Sequence, residues 1–414
     1  MPNSLPAPSQ PALEHSARLT TLIQNEIVSS GGWIPFARYM ELALYAPGLG
    51  YYTAGAHKFG EAGDFITAPE LSALFGRTLA RQVRQIMAQS APHILELGAG
   101  SGKLAVDMLA ELEQLGHLPA SYWILEVSAD LRERQREQIA RRLPQLLARV
   151  HWLDALPEKF RGAIVANEVL DALPVHLVHW RDSSLFERGV VNEGAGFAWQ
   201  ERDIGDAALR DTAQAVRPDD TTDRATSHLT NPAKDAGQVA GYELVEAMPD
   251  DYLSEIGLAA RGLIRSLASR LDSGALLFID YGFGAREFYH PQRDKGTLMC
   301  HYRHLAHDDP FYLPGLQDIT AHVNFTDIAE AGIDAGLELT GYTNQAFFLI
   351  NGGITDLLAQ HQPENVREYL PLSGQLQKLT SPAEMGDLFK VIALGKKLAE
   401  PLTGFARGDL SRAL

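Results

Sequence analysis

The sequence predicts an α/β fold, a mostly parallel sheet with helices on both faces, and three observations carry that prediction. The run His93-Ile94-Leu95-Glu96-Leu97-Gly98-Ala99-Gly100-Ser101-Gly102-Lys103 reads as strand, tight turn and helix. Short apolar runs then alternate with helical periods as far as Asp280, the pattern of parallel strands joined by crossover helices. Near the end, residues 339–350 and 389–394 are expected to form an antiparallel edge pair.

In chain order, a helix is expected over 13–28, broken by Gly31-Gly32-Trp33-Ile34-Pro35-Phe36, and a second over 37–44. Residues 45–67 form a loop rich in glycine and tyrosine. Loops this long are functional or disordered, and the aromatic content argues against disorder. A helical period over 69–87 leads into the first strand. Strands are expected at 94–97, 123–127, 150–153, 163–167 and 275–280, with a charged helix over 131–147. Between the fourth and fifth strands, residues 175–180, 185–191, 197–202 and 242–247 read as short antiparallel strands. Residues 203–238 are polar without apolar periodicity and read as a mobile excursion. A second insertion, 289–325, is rich in His, Asp and Pro and precedes a helix over 326–335.

With 414 residues, 45% hydrophobic and 21% charged, the chain has an ordinary globular composition, enough for one large domain with insertions or two domains. No apolar run approaches the roughly 20 residues needed to cross a bilayer. The polar, Pro-rich start resembles neither a secretory signal nor an Arg-rich presequence. Cys300 is the single cysteine, which leaves no intrachain disulfide or thiolate cluster and points to a reducing, bacterial cytoplasm. The net charge of −16 argues against broad nucleic-acid binding. It suits a basic protein or peptide partner, or simply solubility.

The glycine turn carries the chemistry. Glycines let the backbone turn sharply and approach a ligand, and the helix amides that follow present free donors. A dinucleotide site spaces its glycines G-x-G-x-x-G to seat a pyrophosphate, whereas here they alternate at Gly98, Gly100 and Gly102, with Glu96 at the strand end. A carboxylate repels a pyrophosphate and attracts the ammonium of an amino-acid moiety, so the spacing favours S-adenosylmethionine and disfavours hydride transfer from a nicotinamide. One helix further on, Tyr122-Trp123-Ile124-Leu125-Glu126 ends in an acid where a doubly wound sheet places a ribose ligand. Glu126 is assigned that role; alone, it would equally read as a solvated strand tip.

Several runs together resemble the MidA-like methyltransferases, a family that includes mitochondrial complex I assembly factor 7. They are Pro35-Phe36-Ala37-Arg38-Tyr39-Met40, residues 45–52, Gly63-Asp64-Phe65-Ile66-Thr67-Ala68-Pro69-Glu70, residues 95–102, Ala166-Asn167-Glu168-Val169-Leu170-Asp171-Ala172-Leu173-Pro174, and Asp318-Ile319-Thr320-Ala321-His322-Val323-Asn324-Phe325. The resemblance implies a Rossmann-like class I methyltransferase fold, a seven-stranded mostly parallel sheet ending in an antiparallel hairpin. It divides the chain into an N-terminal helical extension with a cofactor-covering loop (1–88), a first core part (89–182), an insertion (183–270), a second core part with a substrate insertion at 289–325 (271–400), and a tail (401–414). It further implies methylation of a protein arginine, associated in the mitochondrial relatives with respiratory complex I. The polar insertion and Asn324, where Asp is expected, depart from the family pattern and bear on the acceptor. A small-molecule acceptor and a non-catalytic assembly factor that grips a partner through its insertions remain alternatives.

Methyl transfer from a sulfonium needs a nucleophile held in line, so positioning supplies most of the catalysis. Carboxylates can grip a guanidinium through its planar fork. Glu168 and Asp171 follow the fourth strand, at the carboxyl end where open α/β sheets bind ligands, and are assigned to the acceptor and its support. The same Asn-Glu-x-x-Asp pattern is also capping chemistry. Asn167 is placed at the cofactor carboxylate or the acceptor. Asp64 and Thr67 are placed at the cofactor's amino-acid end, or as a helix cap. Asp154, after the third strand, is placed near the adenine, or in an exposed turn. His322 is an acceptor-side candidate through its family run, or a core histidine. His301, His304 and His307 recur every three residues, but in a segment crowded with Pro and Asp no metal site is expected.

Overall fold

A computed structural model describes residues 5–54, 67–182, 184–216 and 248–414. Helix α1 (Gln10–Ser29) buries Leu19, Ile23 and Ile27, one helical face, and α2 (Phe36–Tyr45) follows the two-residue strand Ile34–Pro35. The helix expected over 69–87 is broken at Ser72. A single turn, Ala68–Leu71, precedes α3 (Ala73–Gln89), and the Ser72 hydroxyl, on extended backbone, accepts from the Leu74 amide at 3.3 Å.

The core alternates β1 (His93–Leu97), α4 (Lys103–Gln114), β2 (Ser121–Leu125), α5 (Ala129–Arg142), β3 (Val150–Leu153) and β4 (Phe160–Asn167). Helix α5 stops short of the expected 147 because Pro144 cannot continue it, and the chain passes into the 3₁₀ turn Pro144–Arg149. The first insertion supplies β5 (His176–Arg181), β6 (Ser184–Glu193), β7 (Gly196–Asp203), α6 (Ala207–Val216) and β8 (Asp251–Ile256). The opening of the expected excursion is therefore ordered, with Leu209, Ala213 and Val216 of α6 buried. Residues 217–247, including the strand expected at 242–247, lie outside the described residues. Next come α7 (Leu258–Arg270), β9 (Leu271–Phe283), the small antiparallel sheet of β10 (Met299–Tyr302), β11 (Leu305–His307) and β12 (Asp318–Thr320), then α8 (Phe325–Asp334) and β13 (Glu338–Asn344). Asn344 ends β13 by accepting from the Phe347 amide, so the rest of the expected 339–350 strand is helix α9 (Gln345–Asn351). Strand β14 (Phe389–Lys396) completes the sheet.

The main sheet runs β13-β14-β9-β4-β1-β2-β3. Strands β3, β2, β1, β4 and β9 are parallel, while β14 is antiparallel to both β9 and β13. This is the expected seven-stranded, mostly parallel sheet ending in an antiparallel hairpin, extended by the two-residue strand Val323–Asn324 beside the end of β9. Successive residues of β1 serve opposite cores. Ile94 joins Leu79, Val83 and Leu109 on one face, and Leu95 joins Ile164, Ile264 and Phe325 on the other. Strand order reverses between β1 and β4, which opens a crevice at their carboxyl ends. The second sheet pairs Ile34–Pro35, β6, β5 and β8 in that order, with β7 on β6, all antiparallel. Among the described residues no helix is long and apolar enough to cross a membrane.

Leu277, fully buried in β9, is paired with Val165 of β4 and Ala393 of β14. Leu277→Ala should lower unfolding stability by about 2–5 kcal/mol, read from urea denaturation followed by circular dichroism.

Candidate active site

The turn after β1 is left-handed at all three glycines, with φ of 61° at Gly98, 53° at Gly100 and 83° at Gly102. A Cβ on Gly98 would lie 3.1 Å from Val169 Cγ2, and one on Gly102 3.1 Å from Gln135 Cγ, so a side chain at either position would be crowded as well as strained. Glu96, just before it, is buried and accepts from the Tyr122 hydroxyl at 2.7 Å. Burial pushes its pKa up to about 7; the tyrosine bond opposes the shift and the nearby Glu126 charge adds to it.

Glu126 is also buried. Its carboxylate accepts from the Ser128 amide at 3.0 Å and from Gln135 Nε2 at 3.2 Å, and burial raises its pKa. Gln135, fully buried, also donates to the Gly100 carbonyl at 2.9 Å and accepts from Trp152 Nε1 at 2.8 Å. One side chain thus ties the glycine turn, the acid of β2 and β3 together. Asp154 is placed differently from Glu126. Its side chain is 92% exposed and held at 2.6 Å by Arg132, whose other nitrogens donate to the Glu126 and Leu153 carbonyls. It does not line the cavity described below.

At the end of β4, Glu168 has φ of 52°, a conformation costing a non-glycine residue about 1–2 kcal/mol. Asp280, at the matching point of β9, over-determines it. Its Oδ2 accepts from the amides of Val169, Leu170 and Asp171 at 3.1, 2.9 and 3.3 Å, while the Glu168 amide donates to the Ile279 carbonyl. The Glu168 carboxylate accepts from Asn167 Nδ2 at 2.9 Å and from the Ala68 amide. Burial first, then the Asp171 charge, push its pKa up to about 8. Asp171 accepts from the Tyr281 hydroxyl at 2.5 Å, and burial raises it to about 6 despite that bond. Burial and these two neighbours hold Asp280 well above the usual carboxylate range. Asn167 Oδ1 and Asp171 Oδ1 are buried without a hydrogen-bond partner.

These groups meet in one cavity of about 330 Å³, within the size range of ligand pockets. Thr67, Glu96, Glu126, Asn167, Glu168 and Asp171 all line it, with Gly98 and Gly100 in its wall and Gly102 behind them against Gln135. Asp64 lies outside the described residues. Tyr45, Tyr52 and Glu70, not singled out from sequence, also line it, though all three fall within runs quoted for the family resemblance. The rings of Tyr45 and Tyr52 stack at 5.4 Å. Their hydroxyls donate to the Ala172 carbonyl and to Asp318. The left-handed glycine turn, the buried acid after β2 and the orphaned oxygens of Asn167 and Asp171 fit a sulfonium nucleoside.

His322 sits elsewhere. It lines a smaller cavity with Glu255 and Asp327, its ring edge-on to Tyr281 and Phe283 at 5.3 and 5.2 Å. Burial, aided by Arg293 and Lys390, lowers its pKa to about 4, so it is neutral at pH 7. Its ring packs on Tyr281, which donates to Asp171 in the first cavity. Asn324 caps α8, accepting from the Thr326 amide at 3.2 Å, work that Asp and Asn do equally well. His301 and His307 lie on β10 and β11 and His304 in the turn between them. Among the described residues no group of three or more His, Cys, Asp or Glu is placed to hold a metal ion.

Comparison with known proteins agrees with this geometry. Residues 74–343 match the family model described as "Putative S-adenosyl-L-methionine-dependent methyltransferase", and the chain belongs to that family. It is 29% identical to the mitochondrial protein arginine methyltransferase NDUFAF7 homolog of Drosophila melanogaster over 95% of this chain and 88% of that one. The human protein arginine methyltransferase NDUFAF7 is 28% identical over 89% of this chain and 81% of its own length. A crystal structure from Burkholderia thailandensis, bound to S-adenosyl-homocysteine, superposes with a TM-score of 0.89 at 47% identity, covering 99% of this chain and 100% of that one.

Gln135→Leu removes the Gly100, Glu126 and Trp152 bonds while nearly keeping the volume. Calorimetry should find S-adenosylhomocysteine bound about tenfold more weakly, the equivalent of one to two hydrogen bonds.

Proposed function

We propose that this methyltransferase modifies an arginine side chain of a protein substrate. The carrying observation is that Glu168, half-buried, and Asp171, buried, meet at one end of the cavity with no cationic side chain paired to either among the described residues. Uncompensated buried carboxylates are costly, and a cation that enters and pairs with them recovers that cost. A guanidinium suits the pair, being planar, permanently charged and able to donate to two acceptors at once. The stacked Tyr45 and Tyr52 give the cavity aromatic faces, which a guanidinium tolerates better than a hydrated ammonium. The relatives named as protein arginine methyltransferases support the same acceptor.

S-adenosylmethionine supplies an electrophilic methyl group on a sulfonium. Glu168 then has two tasks. Paired through one oxygen, it draws the guanidinium charge away from the attacking nitrogen, and with its raised pKa it can take the proton that nitrogen loses. Asp171, oriented by Tyr281, grips the far side of the fork. Asp280 fixes the turn that carries both.

Below about pH 8 the empty site holds Glu168 largely protonated, and in that form it cannot pair with a guanidinium. The apparent kcat/KM for a protein acceptor should therefore rise with pH up to about 8 and level off. Glu168→Gln should cut turnover about 100-fold or more and flatten that limb, while changing S-adenosylhomocysteine affinity by less than about threefold. The experiment uses lysate protein from a deletion strain, methyl-labelled cofactor and mass spectrometry for methylarginine. Label confined to metabolites defeats the reading.

A further inference from the structure

Two carboxylates, Glu96 and Glu70, line the part of the cavity beside the glycine turn. They are not equivalent. Glu96 is 2% exposed and its Oε2 is already occupied by the Tyr122 hydroxyl, within a strand whose neighbours on both sides are paired. Glu70 projects from the single turn Ala68–Leu71, which packs against α4, and it is only half-buried. One of its oxygens accepts from the Ser101 hydroxyl in the middle of the glycine turn, and Ser101 Oγ in turn accepts from the Lys103 amide at 3.2 Å. The Glu70 carboxylate, which lines the cavity, is thus pinned to the glycine turn, and among the described residues its second oxygen has no hydrogen-bond partner.

The remaining edges of the cavity are already assigned. Glu126 marks the ribose end and Glu168 with Asp171 the acceptor end, which leaves the amino-acid arm of the cofactor between Thr67, Glu70 and Ser101. We infer that Glu70 is the residue that binds the ammonium of that arm, and that Glu96 serves chiefly to hold the turn. An ammonium has three donors and needs a charged acceptor that stays available after the fold is made. Glu70 meets that need. Glu96, which the burial already described pushes toward neutrality, is the weaker partner.

The test compares S-adenosylhomocysteine, which carries the amino-acid arm, with 5′-methylthioadenosine, which lacks it, by calorimetry on the full chain. Glu70→Gln should weaken the first at least tenfold and leave the second within about twofold. Ser101→Ala, which frees Glu70 from its anchor, should weaken only the first, by a smaller factor. Unchanged binding of S-adenosylhomocysteine to Glu70→Gln overturns the inference. So does an equal loss for both ligands, which would mean that the substitution disturbs the pocket as a whole. Neither outcome depends on the acceptor being arginine, because no methyl transfer is measured.

Discussion

The carboxylate of Asp280 accepts three successive amides from the turn after β4, and the end of the cavity that carries Glu168 and Asp171 hangs on that interaction. It resembles a helix N-terminus gripping an anion, except that the anion is supplied by the neighbouring strand. The turn carries Glu168 in a strained left-handed conformation and Asp171 one turn on, so two acids are presented side by side without relaxing apart. Asp280 itself is buried beside them, and the three repel one another. Such an arrangement is unfavourable alone and becomes favourable when positive charge enters.

The aromatic wall opposite is held from far away in the chain. Tyr45 ends α2, and Tyr52 lies in the packed turn that follows. Both stand on a core of Leu19 and Ile23 from α1, Tyr39 and Met40 from α2, Leu177 from β5 and Ile319 from β12. Tyr39 also donates to the Pro310 carbonyl at 2.8 Å. The N-terminal helices, the antiparallel insertion and the small β10–β12 sheet thus form one buttress. Additions that look separate along the chain converge to set one side of the cavity.

Much of the cofactor side was legible from residues alone. The left-handed turn needs glycine wherever it occurs, and an acid at a strand tip announces itself by position, so Glu96, Glu126 and the cradle could be read locally. Glu168 and Asp171, three residues apart after a strand, were legible as a pair of acids, and what holds them was not. Asp280 and Tyr281 contact that turn from 110 residues away, and Tyr52 reaches Asp318 across 266. Gln135 looks like any polar residue of a charged helix, and only folding reveals that its amide bridges Gly100 and Glu126. The same limit explains Asp154, read from its place after a strand, and His322, read from its family run, whose side chains point to Arg132 and into a second cavity.

By itself, the sequence determined the alternating α/β architecture, the nucleoside-binding turn and the acids that follow two parallel strands. These depend on periodicity and backbone conformation, which are set within a few residues. Tertiary structure alone decided which acids are buried, which are already partnered, and which face the cavity. Burial and partnership belong to contacts between distant segments, and they, rather than residue type, decide whether a carboxylate caps a turn, holds a strand or waits for a cation.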